Sequence, residues 1–134
     1  MAMRYFRQAA QIDLANNMGS AAGGVHAAAL GGLWQQLIMG FTGMRAEEDG
    51  FYIDPKLPEE WDRMKFAFIW RNNHIDFDVE RNKQITITIG HANEVRVGIY
   101  GRQLQTLRPG ATYRSEWDGT TWRDIDGKGQ EGVA

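Results

Sequence analysis

The chain has 134 residues, the length of one ordinary domain, and its 43% hydrophobic and 24% charged residues are typical of a globular protein in water. Its formal net charge is −2 and it contains no polybasic run, so binding to a nucleic-acid backbone is not predicted. It has no cysteine, which excludes disulfides and thiolate metal sites, and no apolar run suited to a signal peptide or a membrane span, so we expect a cytoplasmic protein without a membrane partner.

The first part of the chain has the periodicity of helices. Tyr5, Ala9 and Ile12 form an apolar stripe at i, i+4 and i+7, which predicts an amphipathic helix over residues 2 to 14. A turn follows, and a second helix is predicted over residues 24 to 41, where few residues are polar. Two helices cannot cover a helix that is apolar nearly all round. We therefore expect further polypeptide, or a second copy of the chain, to cover this helical hairpin.

The second part alternates apolar and polar residues with a period of two. Such alternation predicts antiparallel strands with one solvated face, joined by short hairpin turns. Shorter strands are expected at Leu104 and Leu107 and at Tyr113, and a mobile tail beyond Trp122. The apolar positions of the four longer strands are Met64, Phe66, Phe68 and Trp70; Ile75, Phe77 and Val79; Ile85, Ile87 and Ile89; and Val95, Val97 and Ile99.

These patterns predict an α+β protein. Residues 1–48 are expected to form the helical hairpin, and residues 49–134 an antiparallel β-sandwich that ends in the mobile tail. The boundary falls where alanine, methionine and glycine give way to alternating strands.

The segment between the two predicted helices offers a candidate anion site. Gly23 and Gly24 lie at the start of the second helix, where the first N–H groups lack partners within the helix and the helix dipole is positive. Ser20 can add a hydroxyl donor, and His26, predicted one turn into the helix, can donate a hydrogen bond or a proton to an oxyanion. Alternatively, the two glycines only permit a tight turn, and His26 only satisfies a nearby carbonyl.

Two runs of sequence are distinctive beyond these patterns. The first is IDLANNMGSAAGGVHAAALGGLWQQLIMGFTGMR, and the second is EEDGFYIDPKLPEEWDRMKFAFIWRNNHIDFDVE. The first resembles the last helices of the catalytic barrel in glycoside hydrolase family 65, and the second resembles that family's barrel exit and C-terminal β-domain. The resemblance covers roughly residues 5 to 107.

The resemblance implies an activity. The family contains maltose, trehalose and kojibiose phosphorylases and some hydrolases, in which an (α/α)6 barrel holds the sugar. A glutamate acts as general acid, and phosphate or water attacks the anomeric carbon with inversion. The expected partners of the full-length enzyme are therefore an α-linked glucose disaccharide and inorganic phosphate. The linkage, and the choice between phosphate and water, stay open.

The resemblance also implies site residues. The family's histidine on the phosphate side of the pocket maps onto His26, and Ser20 falls in the loop before it, beside Gly23 and Gly24. The catalytic glutamate and the sugar-binding segment belong upstream in the family. We therefore assign no catalytic residue, metal ligand or cofactor to this chain, and we expect it to be inactive alone.

Two other functions compete with this interpretation. The chain can be a stand-alone β-sandwich that binds carbohydrate through Trp117 and Trp122, or a structural remnant that oligomerises through its helices. Trp70 is expected in the core and Trp61 at the junction of helices and sandwich. The remaining histidines and acidic strand residues are expected on a solvated surface rather than around a metal: His74, His91, Asp76, Asp78 and Glu80.

Overall fold

The computed structural model describes residues 1–16, 19, 21–48 and 50–125. Helix α1 spans Ala2–Leu14, as the apolar stripe predicted. After a 3₁₀ turn over Ala21–Gly23, helix α2 spans Ala27–Gln35 and runs on into a π-helical turn over Gln36–Phe41. No described helix is long and apolar enough to cross a membrane.

The predicted start of the second helix, at residue 24, is wrong. Gly24 has a φ of +115°, which is incompatible with a right-handed helix. His26 is still extended, with φ −84° and ψ 90°, and it occupies the N-cap position of α2. His26 therefore precedes the helix instead of lying one turn inside it.

The strands form two sheets. The strands in chain order are β1 Arg45–Ala46, β2 Gly50–Ile53, β3 Arg63–Trp70, β4 Asn73–Glu80, β5 Gln84–Ile89, β6 Val95–Ile99, β7 Gln105–Leu107, β8 Thr112–Trp117 and β9 Trp122–Asp124. Among the described residues, one sheet has the order β1-β2-β6-β7 and the other the order β3-β4-β5-β8-β9. The pairing is antiparallel as predicted, except that β2 and β6 are parallel. The chain builds β3, β4 and β5 of the other sheet before β6 returns beside β2, and a parallel pair needs such a long connection.

The two sheets pack on one hydrophobic core. Phe51 of β2 lies 5.6 Å from Phe77 of β4, measured between ring centroids, and Phe66 of β3 stacks on Phe77 at 4.6 Å. In β4, β5 and β6 the positions that the alternation predicted to face inward are buried: Ile75, Phe77, Val79, Ile85, Ile87, Ile89, Val95, Val97 and Ile99. Trp70 packs against this core, as expected. The fold is α+β, a helical hairpin followed by a β-sandwich.

Three aromatic rings join the helices to the sandwich. Phe6 of α1, Phe41 at the end of the π-helical turn and Trp61 before β3 make edge-to-face contacts, with centroids 5.0 to 5.7 Å apart. This arrangement confirms the predicted place of Trp61. An exposed ion pair between Arg7 and Glu60, 3.1 Å long, lies across the same junction.

Main-chain hydrogen bonds fix the chain where it leaves the helices. The Asp54 N–H donates to the Thr42 carbonyl at 3.0 Å, and the Lys56 N–H donates to the Phe41 carbonyl at 2.8 Å. Gly43 lies beside them with a φ of +62°. The helical hairpin is thus held against the sandwich by backbone as well as by side chains.

The helices themselves are poorly covered. None of the residues of α1 and α2 is buried. The large apolar side chains exposed in this part of the chain are Met1, Tyr5, Leu14, Val25, Leu30, Trp34 and Met39. The described part of the sandwich therefore leaves much of the apolar surface of the helical hairpin exposed, as the sequence predicted.

Candidate functional site

Asp13 and His26 form a close pair between the two helices. Asp13 lies in the last turn of α1, and His26 is the residue before α2. The His26 Nδ1 atom is 2.6 Å from Asp13 Oδ1. The His26 backbone N–H also donates to the carboxylate, at 3.1 Å to Oδ1 and 3.3 Å to Oδ2. One carboxylate therefore holds both the ring and the main chain of His26.

The pair has a defined protonation pattern. The hydrogen bond with the His26 side chain lowers the pKa of the Asp13 carboxyl below its usual value. An ionised carboxylate only accepts hydrogen bonds, so the proton between the two groups belongs to Nδ1. The Asp13 side chain is 12% exposed and the His26 side chain 39% exposed. The carboxylate is thus the less exposed member of the pair, and the imidazole reaches the surface.

The two predicted glycines lie just before His26 in the chain. Gly23 closes the 3₁₀ turn, and Gly24 has the positive φ that favours glycine. A Cβ atom at either position would have no heavy atom of the described residues within 4 Å, and both glycines are exposed. No described side chain therefore covers the main chain at these two glycines. Ser20, the remaining predicted site residue, lies outside the described residues.

Asp13 is a member of this pair that the sequence patterns did not predict. The acidic side chain sits in the last turn of α1, where the negative end of the helix dipole disfavours a carboxylate. An acidic residue at such a position needs a cationic or hydrogen-bonding partner. That signal was present in the sequence, but the partner lies 13 positions further on and only the folded chain brings it close.

The tryptophans expected to stack on sugars lie at a second cleft. The cleft has a volume of about 460 Å³ and includes Tyr100, Arg102, Thr121, Trp117 and Trp122 in its lining. Trp122 is 6% exposed and packs edge-on against Trp117, 5.3 Å between centroids. The stacking role predicted for Trp122 is therefore wrong, because its ring belongs to the core. Trp117 is half-buried at the cleft.

The acidic side chains of β4 contact basic side chains of the protein. Asp78 accepts hydrogen bonds from the Arg63 side chain and lies 3.2 Å from Lys65 Nζ. His74 lies 3.1 Å from Asp76. Within the described part of the chain, no group of three or more histidines and carboxylates is arranged to bind a metal ion.

Comparison with known proteins points to one family. The sequence pattern of "Glycosyl hydrolase family 65, C-terminal domain" matches residues 44–106. The chain is 37% identical to the kojibiose phosphorylase of Halothermothrix orenii over 78% of its own length, and 31% identical to the α,α-trehalose phosphorylase of Geobacillus stearothermophilus over 80%. It spans 14% of the length of each of these relatives.

The fold agrees with this similarity. A solved structure assigned as a kojibiose phosphorylase from the human microbiome superposes on 84% of this chain with a TM-score of 0.70 at 18% identity. The chain covers 14% of that protein. The identity to the kojibiose and trehalose phosphorylases named above extends over more than two thirds of the chain and establishes the family. This chain belongs to glycosyl hydrolase family 65.

Proposed function

We propose that this chain is the C-terminal part of an inverting disaccharide phosphorylase that acts on an α-linked glucose disaccharide. The observation that carries the proposal is the identity of 37% and 31% to a kojibiose and a trehalose phosphorylase, of each of which the chain covers 14% of the length. In such an enzyme the chain supplies the last helices of the (α/α)6 barrel and the domain that supports it. Because it has no cysteine, we propose the reducing cytoplasm as its location.

The open surface of the helices supports this assignment. Leu14, Val25 and Trp34 are 86%, 71% and 47% exposed. Burying a side chain of this size contributes roughly 1.5–3 kcal/mol, so a larger barrel that covers them gains substantially. We propose that barrel helices upstream in the enzyme bury these side chains. A second copy of the chain is the alternative that could bury them.

Phosphate is proposed to bind at His26, Gly23 and Gly24, with Ser20 as a further donor outside the described residues. A protonated imidazole offers a positive charge and an N–H donor to a phosphate oxygen. The bare main chain at both glycines, exposed ahead of α2, allows an anion to approach closely. The phosphate held there attacks the anomeric carbon as the glycosidic C–O bond breaks.

The acid of the reaction is proposed to lie outside this chain. In inversion, the group that protonates the leaving oxygen lies on the opposite face of the sugar from the attacking group. The chain provides the side of the attacking group, and the upstream barrel provides the glutamate acid. The isolated chain is therefore expected to have no turnover. A hydrolase would use water at the same position, and dependence on phosphate distinguishes the two.

The test is a hybrid enzyme in which this chain replaces the matching C-terminal part of the Halothermothrix orenii kojibiose phosphorylase. We expect glucose 1-phosphate to form from kojibiose only when phosphate is added. The intact relative is the positive control, and the relative without its C-terminal part is the negative control. A hybrid that is folded by circular dichroism and releases glucose without phosphate would support the hydrolase. A folded hybrid that cleaves nothing would contradict both.

A second candidate function is glycan binding at the cleft beside β8 and β9. Trp117 and Tyr100 offer partly exposed rings there, and Arg102 and Thr121 offer polar groups, a combination suited to a neutral sugar. Titration of the chain with α-glucans, followed by tryptophan fluorescence, tests this function. A saturable change that is lost in Trp117→Ala would support it, and an unchanged spectrum would refute it.

A further inference from the structure

Strand β3 forms one end of the five-stranded sheet. It is eight residues long, pairs with β4 along its whole length from Arg63 to Trp70, and has no strand on its other side within the described part of the chain. Among the described residues, the main-chain N–H and C=O groups along that side therefore face no partner strand. A long edge strand of this kind offers a template for pairing with another chain.

The core beneath β3 is less completely covered than the core beneath its neighbours. The inward apolar side chains of β4 and β5 are at most 2% exposed. The inward side chains of β3 pack against the same core but are only half-buried: Met64, Phe66, Phe68 and Trp70. A further strand beside β3 would cover this side of the core and remove apolar surface from water.

The charged side chains of β3 are turned toward β4 rather than toward the open edge. Free lysine and arginine side chains on an edge strand commonly prevent pairing. Here the Arg63 side chain donates a hydrogen bond to Asp78 of β4 at 2.6 Å, and the Lys65 Nζ atom lies 3.2 Å from the same carboxylate. Both charges are thus engaged within the sheet. Further along the outer face of β3, the apolar side chain of Ile69 is 74% exposed.

The helical hairpin meets β3 at one end of the strand. Trp61, which contacts Phe6 and Phe41 of the hairpin, lies two residues before β3. From Arg63 to Trp70 the strand then runs on for roughly 23 Å. Upstream helices that cover the hairpin are therefore placed at the start of β3, and they do not by themselves account for the rest of its edge.

The sequence of β3 is suited to pairing with itself. Residues directly opposite each other in an antiparallel pair lie on the same face of the sheet, so a twofold arrangement places one residue opposite itself. With Phe66 at that position, apolar side chains meet on the inner face, and each basic side chain meets an uncharged one on the outer face. Centring the pair on Lys65 would instead bring two lysines together, which is unfavourable. The opposite pairs around Phe66 are Met64 with Phe68, Lys65 with Ala67, and Arg63 with Ile69.

We propose that β3 pairs antiparallel with β3 of a second copy of the chain, about a twofold axis at Phe66, so that the two five-stranded sheets join into one. The partner is a copy of this chain because the strand complements itself in both apolar surface and charge. A contact in which both subunits use the same surface is the usual form of a homodimer. This interface is separate from the helical hairpin and does not depend on the proposed function.

Cross-linking tests the pairing and its register on the full chain, which contains no cysteine. We expect a mixture of Lys65→Cys and Ala67→Cys to form a disulfide-linked dimer under mild oxidation. Opposite Cα atoms of an antiparallel pair lie about 4.5–5.5 Å apart, which is within the range of a disulfide. Either variant alone should cross-link much more slowly, because its own two thiols are diagonal neighbours about 7–8 Å apart.

Glu116→Cys is the control for chance encounters between thiols. Glu116 is exposed like Ala67, but it lies on β8, which has a strand on each side. A mixture of Lys65→Cys and Ala67→Cys that yields no more dimer than Glu116→Cys mixed with Ala67→Cys would overturn the proposal, and another polypeptide would then have to cover the edge. Ala67→Cys that links to itself faster than to Lys65→Cys would refute the axis at Phe66.

A charge at position 67 separates pairing from folding. Ala67 lies opposite Asp76 of its own β4 and, in the proposed dimer, opposite Lys65 of the second copy. Ala67→Lys should therefore leave the fold of the single chain as stable or more stable, yet weaken the dimer by about 3- to 10-fold in sedimentation equilibrium. Ala67→Glu should have the opposite effect on both, because it repels Asp76 and attracts Lys65.

Association through the helices is reduced in these measurements by placing Leu14→Glu, at a residue 86% exposed on α1, in every variant. Ile69→Glu, which faces Arg63 of the second copy in the proposed register, should not weaken the dimer. Ala67→Lys and Ala67→Glu that associate equally well would contradict pairing through β3, whichever of them is the more stable fold.

Discussion

A Cβ atom built on Gly43 would lie 2.4 Å from the carbonyl oxygen of Asp54. The carbonyl belongs to the segment whose N–H groups bond the end of the helical hairpin, so neither side can move away freely. Gly43 also has a φ of +62°, where a side chain adds strain. Close approach and backbone conformation therefore both require glycine at this position.

We expect Gly43→Ala to lower the free energy of unfolding by at least about 2 kcal/mol, measured by urea denaturation. Gly40→Ala is the matched control. A Cβ atom at Gly40 would have no heavy atom of the described residues within 4 Å, and Gly40 lies in the π-helical turn without a positive φ. It is expected to be neutral or slightly stabilising. Equal losses in both variants would contradict the role of the Gly43–Asp54 contact.

Tyr113 is expected to make the stability of the protein depend on pH in the alkaline range. Its hydroxyl donates to the Asp124 carboxylate, and Gln105 donates to the same carboxylate at 2.7 Å. Burial, followed by the hydrogen bond to Asp124, raises the pKa of the Tyr113 hydroxyl above its usual value. The folded state thus favours the neutral phenol. The contribution of this neutral phenol to the free energy of unfolding is complete below the pKa of about 10 that tyrosine has in the unfolded chain. It is lost as the pH rises toward the pKa of Tyr113 in the folded protein.

We therefore expect the free energy of unfolding to fall as the pH is raised above about 10, in urea titrations at several pH values. In Tyr113→Phe this part of the pH dependence should disappear. The variant should also be about 1–2 kcal/mol less stable at neutral pH, because Asp124 loses a donor. Tyr5→Phe, a change at a half-exposed ring on α1, is the control. An unchanged alkaline profile in Tyr113→Phe would refute the assignment.

Trp61 anchors α1 to the sandwich. We expect Trp61→Ala to free α1 locally, because Phe6 contacts both Trp61 and Phe41 and the loss of one ring opens this cluster. Amide hydrogen exchange should accelerate in α1, while β4 and β5 keep their protection. Trp34→Ala, at an exposed ring of α2, should leave both patterns unchanged. Faster exchange spread evenly over both sheets would show that Trp61 is a core residue instead.

The exposed apolar side chains of the helices predict the behaviour of the chain in isolation. We expect it to bind a hydrophobic dye and to self-associate with rising concentration, as seen by sedimentation velocity. Leu14→Glu and Val25→Glu, at residues 86% and 71% exposed, should reduce both effects without lowering stability. Ile69→Glu, at an exposed residue of β3, is the control. A monomer that binds no dye would argue against a hairpin made to be covered.

Local patterns predicted the elements well. The stripe of Tyr5, Ala9 and Ile12 placed α1 at its observed bounds, and the alternation from Ile75 to Ile89 placed β4 and β5, because periodicity reports directly which face is buried. The parallel pairing of β2 with β6 was missed. Pairing between strands far apart in sequence leaves no periodic signal in either of them.

The candidate site was predicted in part. His26 and the two glycines could be proposed from their residue types, but the helix start was placed too early, because the positive φ of Gly24 is a property of the folded turn. Asp13 was missed for the same reason as the parallel strands. Its partner, His26, comes close only because α1 and α2 pack together. No regular spacing in the sequence relates a residue at the end of one helix to a residue before the next helix.

The parallel pairing of β2 with β6 has a consequence for how the protein assembles. During folding, the edge of β2 that pairs with β6 stays open until the two strands meet. Three strands of the other sheet separate them in sequence. Contacts of such long range are slow to close. The sandwich is therefore expected to fold and unfold in one step, because a cut between β5 and β6 would separate β2 from β6 and β5 from β8 and so interrupt both sheets.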